Sequence, residues 1–511
     1  MPPRRVPILA ADPLGRLRRA LEPFTPDAVQ QLIGPVGQSA HQRGDLLGVE
    51  RELGDDELST LVRLFLLGLP VAPERARLAL APLDPAEAGP LLDVRPDAVR
   101  AKLEVRPYAA AHADRSWWVV SDFGSDVRPG PLAADHVLGI GGASLTLAQA
   151  TIRTPVGRAL DLGTGCGVQA LHLSEHCRSV VATDVSERAL ALAATTAALS
   201  DMDWDLRAGS LLEPVAGERF DLIVANPPFV VSPGADAGED LFDYRDSGLA
   251  GDGVSRALLR QLPAHLAPGG VAQLLANWIV PPDGDWQGRI GGWLDEGGCD
   301  AWVWQREVAE PGEYVTLWLR DAGEQPGTDR WRARYTRWMD WFAASGVAAV
   351  GMGLVTLWRS ESADPVVVCE DVPQAVEQPA GAHLPGWIER TRWLAATDDG
   401  ALLAAKPRCA DGVVRVRDDL RDESGAGWRT ALSRLRQSYG MRWELEVDDA
   451  VAALVAACDG ATPLAVPVAV LASSLGQEPG DVAAALLPVL RDLVQRGFLI
   501  PAVAAEDGQP A

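Results

Sequence analysis

From about residue 131 the chain alternates short runs of β-branched and aromatic residues with segments of helical periodicity. Strands separated by helices lie parallel, because each return to the same edge of a sheet needs a crossover. The stretch is therefore confined to a parallel sheet covered by helices. The strand candidates are RALDLG (158–163), SVVATD (179–184), WDLRAG (204–209), FDLIVAN (220–226), GVAQLLAN (270–277), AWVWQREV (301–308) and YVTLWLR (314–320). Seven such strands suit one doubly wound, Rossmann-like α/β domain over residues 131–360. RWRARYTRWMDWFAASGV (330–347) reads as a helix, and AAVGMGLVTLWRS (348–360) as a further strand or an insertion.

At 511 residues the chain exceeds the roughly 250–300 that one hydrophobic core supports, so flanking domains are expected. Residues 1–130 read as mainly helical, with Leu14, Leu17 and Leu21, then Leu58, Leu61, Val62, Phe65 and Leu66, at helical spacing. The run EVRPYAAAHADRSWWVVSDFG, beginning at Glu104, reads as a small hairpin. Residues 361–385 carry prolines and acids and suit a connection. Residues 386–511 read as a helical domain built from GWRTALSRLRQSYG, DDAVAALVAACDG, PVAVLASSLG and PGDVAAALLPVLRDLVQRGFLIP. Successive helices closing on a short strand resemble a winged-helix module.

Composition narrows the partners. The net charge is -24, and residues 131–320 carry 12 basic against 25 acidic side chains. Generic affinity for nucleic acid rests on cations that neutralise phosphates, and this balance opposes it. The six cysteines form no CxxC pair, the seven histidines form no H-E-x-x-H array, and no Ser-centred nucleophile elbow occurs. Neither a metal nor covalent catalysis is expected. No apolar run approaches the ~20 residues that cross a bilayer. A soluble, cytoplasmic chain with no membrane partner is expected. Most of the 17 tryptophans suit core packing better than a platform for bases.

The sharpest local feature is Asp161-Leu162-Gly163-Thr164-Gly165-Cys166-Gly167, a strand running into a glycine-rich turn before a helix. Glycines let the backbone approach a ligand closely. The turn suits an adenosine-containing cofactor, but Gly165 to Ala170 also satisfies a nicotinamide-dinucleotide fingerprint. Asp184 ends the next strand, where a carboxylate can accept both ribose hydroxyls of either cofactor or simply cap a helix.

The choice falls to Asn226-Pro227-Pro228-Phe229 at the tip of the fourth strand. The lone pair of an amide nitrogen or exocyclic amine is delocalised, so the atom attacks poorly until it is oriented. The Asn226 side-chain oxygen and the Pro227 carbonyl can accept both N–H bonds of such a group. Phe229 can stack on its plane, and the prolines hold the geometry without reorganisation.

With these motifs in order, residues 150–280 resemble class I S-adenosylmethionine-dependent methyltransferases of the small-domain and HemK-like type. DLGTGCG, VVATDVSERALALA, RAGSLLEP and FDLIVANPPF are most similar to the glutamine methyltransferases that modify peptide-release factors. The resemblance implies S-adenosyl-L-methionine as cofactor, held by Asp161, Gly163, Gly165, Gly167, Asp184, Ser210 and Asn226. It also implies acceptor contacts by Asn226, Pro227, Pro228 and Phe229. Ser210 stands where relatives usually carry Asp, and Phe229 stands where the glutamine methyltransferases generally carry Tyr. Phe229 is shared with relatives that methylate guanine in ribosomal RNA.

The expected function is methyl transfer to a planar nitrogen, first a glutamine amide of a release-factor-like or ribosomal protein. An exocyclic base amine of RNA or DNA is the alternative. An inactive scaffold and a nicotinamide-dependent oxidoreductase are the remaining readings. Upstream, His136 to Leu147 holds a glycine turn that in related enzymes folds over the cofactor, with Ser144 or Thr146 in reach of its carboxylate; a plain helix start is the other reading. The acidic stretch Asp236, Glu239, Asp240, Asp243, Asp246 and Asp252 reads as a substrate lid or as a solvated loop.

Overall fold

The computed structural model describes residues 6–109, 116–128, 130, 132–234, 248–294, 297–360, 362, 364–421, 425 and 427–501. The chain divides into two compact units, one of residues 1–148 and 154–372, the other of residues 149–153 and 373–511.

The first unit opens with helices α1 (Ala11–Leu21), α2 (Pro26–Gln42), α3 (Leu46–Glu50), α4 (Glu57–Phe65) and α5 (Pro73–Ala79). Asp56 caps α4 by accepting the Ser59 N–H, and Leu61, Val62, Leu64 and Phe65 bury the inner face of that helix. Two antiparallel pairs follow, β1 (Leu92–Val94) with β2 (Val99–Ala101), and β3 (Glu104–Tyr108) with β4 (Trp117–Ser121). All of β4 is buried.

After α6 (Gly142–Ala150) comes the alternation read from the sequence: β5 (Val156–Leu162), α7 (Val168–Ser174), β6 (Cys177–Asp184), α8 (Glu187–Leu199), β7 (Asp205–Ala208) and β8 (Phe220–Ala225). It continues through α9 (Gly253–Gln261), β9 (Leu266–Val280), α10 (Trp286–Leu294), β10 (Asp300–Ala309), α11 (Pro311–Asp321), α12 (Asp329–Ala344), β11 (Ala349–Trp358) and β12 (Val367–Asp371). Eight strands form one sheet in the order β12-β10-β11-β9-β8-β5-β6-β7. Only β11 runs antiparallel to its neighbours. The doubly wound α/β fold is thus present, with its apolar core of Leu160, Ile223, Leu258, Leu274 and Trp278 on one face.

Six of the seven expected strands are β5 to β10. YVTLWLR is not a strand: it lies in α11, where Pro311 starts the helix and Tyr314, Val315 and Leu319 are buried while Leu317 is exposed. Its alternating β-formers imitate a strand, yet the pattern of burial has the helical period. The vacant place in the sheet belongs to β11, within the stretch read as strand or insertion. The connection 361–385 adds β12 at the edge, parallel to β10.

The second unit contains α13 (Leu384–Ala395), α14 (Asp399–Ala404), β13 (Arg408–Cys409), β14 (Val413–Arg421), β15 (Trp428–Gln437) and β16 (Glu444–Glu446). It ends with α15 (Asp449–Ala456), α16 (Ala465–Leu475), α17 (Pro479–Gln495) and β17 (Leu499–Ile500). The GWRTALSRLRQSYG segment, read as a helix, is instead β15, the centre of an antiparallel sheet with β14 and β16. Leu435 on that strand is buried while the arginines beside it reach solvent, the period of a strand. The order α15, α16, α17, β17 follows the reading, and β13 pairs with β17 while Arg408 bridges Asp459.

Candidate active site

The chain leaves β5, builds β6 and β7 on one side, and returns to place β8 on the other side of β5. This reversal opens a crevice at the carboxyl ends of β5 and β8, where ligands of open α/β sheets bind. Both strong motifs lie at that crevice. The Asn226 carbonyl oxygen is 3.8 Å from where a Cβ on Gly163 would stand, so the two strand tips adjoin.

The three glycines of the turn all have left-handed backbones, with φ of +74° at Gly163, +55° at Gly165 and +91° at Gly167. Their surroundings differ. A Cβ on Gly167 would meet the Trp204 ring at 2.6 Å, whereas a Cβ on Gly165 would meet nothing within 4 Å. Gly167 therefore serves packing, and Gly165 faces open space.

Asp161 is fully buried at the end of β5. One carboxylate oxygen accepts from the Thr164 hydroxyl at 2.6 Å and the Ala170 N–H at 3.0 Å, while the other has no hydrogen-bond partner among the described residues. Burial pushes its pKa up to about 7, against the opposing pull of those two donors. Asp161 thus ties the turn to the start of α7. Cys166, also buried, is pushed up to about 12 and is no nucleophile.

Asp184 closes β6 and accepts from the Gly165 N–H and the Ser186 N–H, each at 2.9 Å. Its carboxylate is partly exposed and sits directly against the turn. Ser186, not Asp184, caps α8. Ser210 is exposed, two residues beyond the end of β7.

Asn226 is half-buried and its side chain has no hydrogen-bond partner among the described residues. Pro227 is buried, and Pro228 and Phe229 are half-buried. The Phe229 ring meets Trp318 of α11 edge to face at 6.2 Å. Two residues on, the Val231 N–H donates to the buried Tyr314 hydroxyl at 2.9 Å, which also takes a hydrogen bond from the Asn277 amide at 2.8 Å. The strand reading of YVTLWLR gives no hint of Tyr314, and Trp318 stands out in the sequence only as one of the tryptophans assigned to core packing.

Upstream of the turn, the Ser144 carbonyl accepts from the Gln169 side chain on α7 at 2.8 Å. Ser144 is half-buried and Thr146 exposed, both on α6. Of the acidic stretch, Asp236, Glu239, Asp240, Asp243 and Asp246 lie outside the described residues. Asp252 is not a lid residue: it is buried, accepts the Ile279 N–H and forms a bidentate ion pair with Arg289 at 2.7 and 2.8 Å.

Comparison with known proteins adds three matches along the chain. Residues 139–280 match the family model described as Methyltransferase small domain, and residues 22–102 and 385–501 match two domains of unknown function. A release factor glutamine methyltransferase of Xylella fastidiosa is 40% identical over 131 residues, 24% of this chain and 47% of that protein. A ribosomal protein uL3 glutamine methyltransferase of Bradyrhizobium diazoefficiens is 37% identical over 127 residues, 23% of this chain and 40% of that protein. A ribosomal RNA small subunit methyltransferase C of Alcanivorax borkumensis is 30% identical over 125 residues, 24% of this chain and 34% of that protein. The chain spans about half or less of the length of these relatives. No helix among the described residues is long and apolar enough to cross a membrane.

Proposed function

Because residues 139–280 form a methyltransferase small domain of the class I, S-adenosylmethionine-dependent type, we propose that this chain transfers a methyl group to a planar nitrogen, foremost a glutamine side-chain amide of a translation protein. The observation that carries this reading is the Asn226 amide, half-buried and without a hydrogen-bond partner among the described residues, at the strand tip beside Gly163. A partly exposed amide at a strand tip keeps its donors and its acceptor available to a ligand.

The turn fits the cofactor. The space in front of Gly165 is free, and the partly exposed Asp184 carboxylate stands directly against the turn. Bound S-adenosylmethionine supplies an electrophilic methyl carbon on a sulfonium, so one S–C bond breaks as one N–C bond forms and the nitrogen gives its proton to water. In this reading Asp184 accepts the ribose hydroxyls, and Asp161 keeps the turn in shape from beneath. The Asn226 side-chain oxygen and the Pro227 carbonyl accept the two N–H bonds of the acceptor, fixing the lone pair toward the methyl carbon. Phe229, braced by Trp318, would stack on the acceptor plane, and Ser210, exposed beyond β7, would be the residue to meet the adenine.

A second reading, methylation of an exocyclic base amine, is favoured by Phe229 and by the ribosomal RNA methyltransferase relative. Against it, α16 and α17 together carry a single cation, Arg491, so those helices offer little to neutralise phosphates. We keep the division into 1–130, 131–360 and 386–511 as part of this reading and assign transfer to 131–360. The test is transfer of labelled methyl from S-adenosylmethionine by the purified full chain to release factors, ribosomal proteins and ribosomal RNA. Label on a glutamine amide is expected; label in RNA alone overturns the protein reading in favour of the second.

A further inference from the structure

The segment between the N-terminal hairpin and α6 is fastened at Val137 and packs closely at Gly139. The Asp122 N–H donates to the Val137 carbonyl at 3.1 Å, and the Val137 N–H donates back to the Asp122 carboxylate at 2.9 Å. Arg188, on the first turn of α8 and four residues beyond Asp184, grips the same carboxylate through two bonds of 2.5 and 2.6 Å. Two residues further, a Cβ on Gly139 would stand 2.6 Å from the Ser121 hydroxyl and 3.1 Å from the Glu104 carboxylate. Both Glu104 and Ser121 are buried, and Arg106 pairs with Glu104 at 2.6 Å. Gln169 then holds the Ser144 carbonyl at 2.8 Å.

The hairpin is itself anchored on the helices that flank the glycine turn. The N–H groups of Trp118 and Val120 donate to the hydroxyls of Ser200 and Thr196, at 3.3 and 3.1 Å, at the end of α8. Tyr108 meets His172 of α7 through a bond of 2.7 Å. The two bonds to α8 run between buried groups, where an unmade partner is expensive.

From this we propose that the β3–β4 hairpin is one wall of the methyl-donor pocket. Asp122 is a positioning residue: it joins segment 136–142 to the helix that begins just after Asp184. The inference rests on the reading of the glycine turn as the donor site. Asp122 acts through Val137 and Arg188: it sets the distance between segment 136–142 and the helix that begins just after Asp184, so losing it frees the two from each other. Geometry that is preset on both sides is what a flexible ligand needs to bind without ordering the protein first.

The test is calorimetric titration of S-adenosylmethionine, and of S-adenosylhomocysteine, into the full chain and two variants. Asp122→Ala is expected to weaken both ligands at least tenfold. Phe24→Leu trims the hydrophobic core of the same N-terminal segment but keeps the carbonyl that accepts from Trp118. It is expected to lower the melting temperature and leave affinity within twofold. Asp122→Glu, which keeps the charge, is expected to recover part of the loss. If Asp122→Ala binds like the parent chain, or if Phe24→Leu loses as much affinity as Asp122→Ala, the inference is overturned. If the parent chain binds neither ligand, it is the donor-site reading that fails.

Discussion

Gly167→Ala and Gly165→Ala separate folding from ligand binding within one turn. Both positions have φ in the left-handed region, where any residue with a Cβ is penalised by roughly 1–2 kcal/mol. At Gly167 the new methyl would also stand 2.6 and 2.9 Å from two atoms of the buried Trp204 ring. That ring is held in place by its N–H bond to the Ser174 hydroxyl at 2.9 Å. Overpacking of this kind costs about 1–3 kcal/mol more. Gly167→Ala should therefore lose about 2–5 kcal/mol, a large share of a net stability of about 5–15 kcal/mol. Gly165→Ala meets no neighbour and should lose only the backbone part. The order reverses for the donor, since the Gly165 methyl occupies the free space in front of the turn. Scanning calorimetry of the full chain gives the first ranking, and titration with S-adenosylmethionine the second. Trp204→Phe removes both clashing atoms, so the pair Gly167→Ala and Trp204→Phe should be less destabilised than the sum of the singles. The reasoning is refuted if Gly165→Ala unfolds as easily as Gly167→Ala, or if it binds the donor as tightly as the parent.

Asn226→Ala should leave melting temperature and donor affinity within error while methyl transfer falls about 100-fold or more, the range for loss of one oriented polar contact in a transition state; equal loss of affinity and turnover would contradict its role toward the acceptor. Asp184→Ala should weaken donor binding roughly 10–100-fold, as expected for hydrogen bonds to a charged group at about 1.5–3 kcal/mol, and titration checks it. Asp161 has a folded pKa raised to about 7. The native state thus holds a proton that the unfolded chain releases from about pH 4, and the stability this brings is lost as pH rises through 7. Asp161→Asn should therefore gain on the parent between pH 5 and pH 8, read as the change in urea midpoint at the two values. Burial pushes Cys166 and Cys369 to about 12 and Cys299 and Cys458 to about 11. All four should resist iodoacetamide at pH 8 in the native chain and react in urea, as peptide mass spectrometry would show.

What could be read from the sequence was whatever acts within one strand, turn and helix. The motif around Asp161, the carboxylate of Asp184 and the tip residue Asn226 each lie at the end of a strand whose own residues announce it. Two elements were misread where local preference and burial disagree. YVTLWLR carries the β-formers of a strand, but Tyr314 and Leu319 face a core that only a helix starting at Pro311 can reach. GWRTALSRLRQ spaces Leu432 and Leu435 as a helix would, yet β14 and β16 on either side supply its hydrogen bonds. Propensity is a weak prior in such cases, and tertiary partners decide. Asp252 shows the same limit for charge: it sits among acids in the sequence, but the partner that buries it, Arg289, is 37 residues away.

The same separation explains why the donor side of the crevice was legible and its outer wall was not. Gly165 and Asp184 meet across 19 residues, a distance spanned by one β-α-β unit, and their spacing is set by the unit itself. Asp122 and Arg188 meet across 66 residues, which hold a loop, α6, β5, α7 and β6. No local period records that meeting. It exists because β4 lies along α8 through Thr196 and Ser200, which places Asp122 one residue past the strand end within reach of Arg188. A chain cut at residue 131, where the texture of the sequence changes, would retain every donor-site motif and lose Asp122, Glu104 and Ser121. Such a fragment should keep the sheet and bind S-adenosylmethionine poorly, and a fragment that bound it as the full chain does would show that the glycine turn and Asp184 suffice.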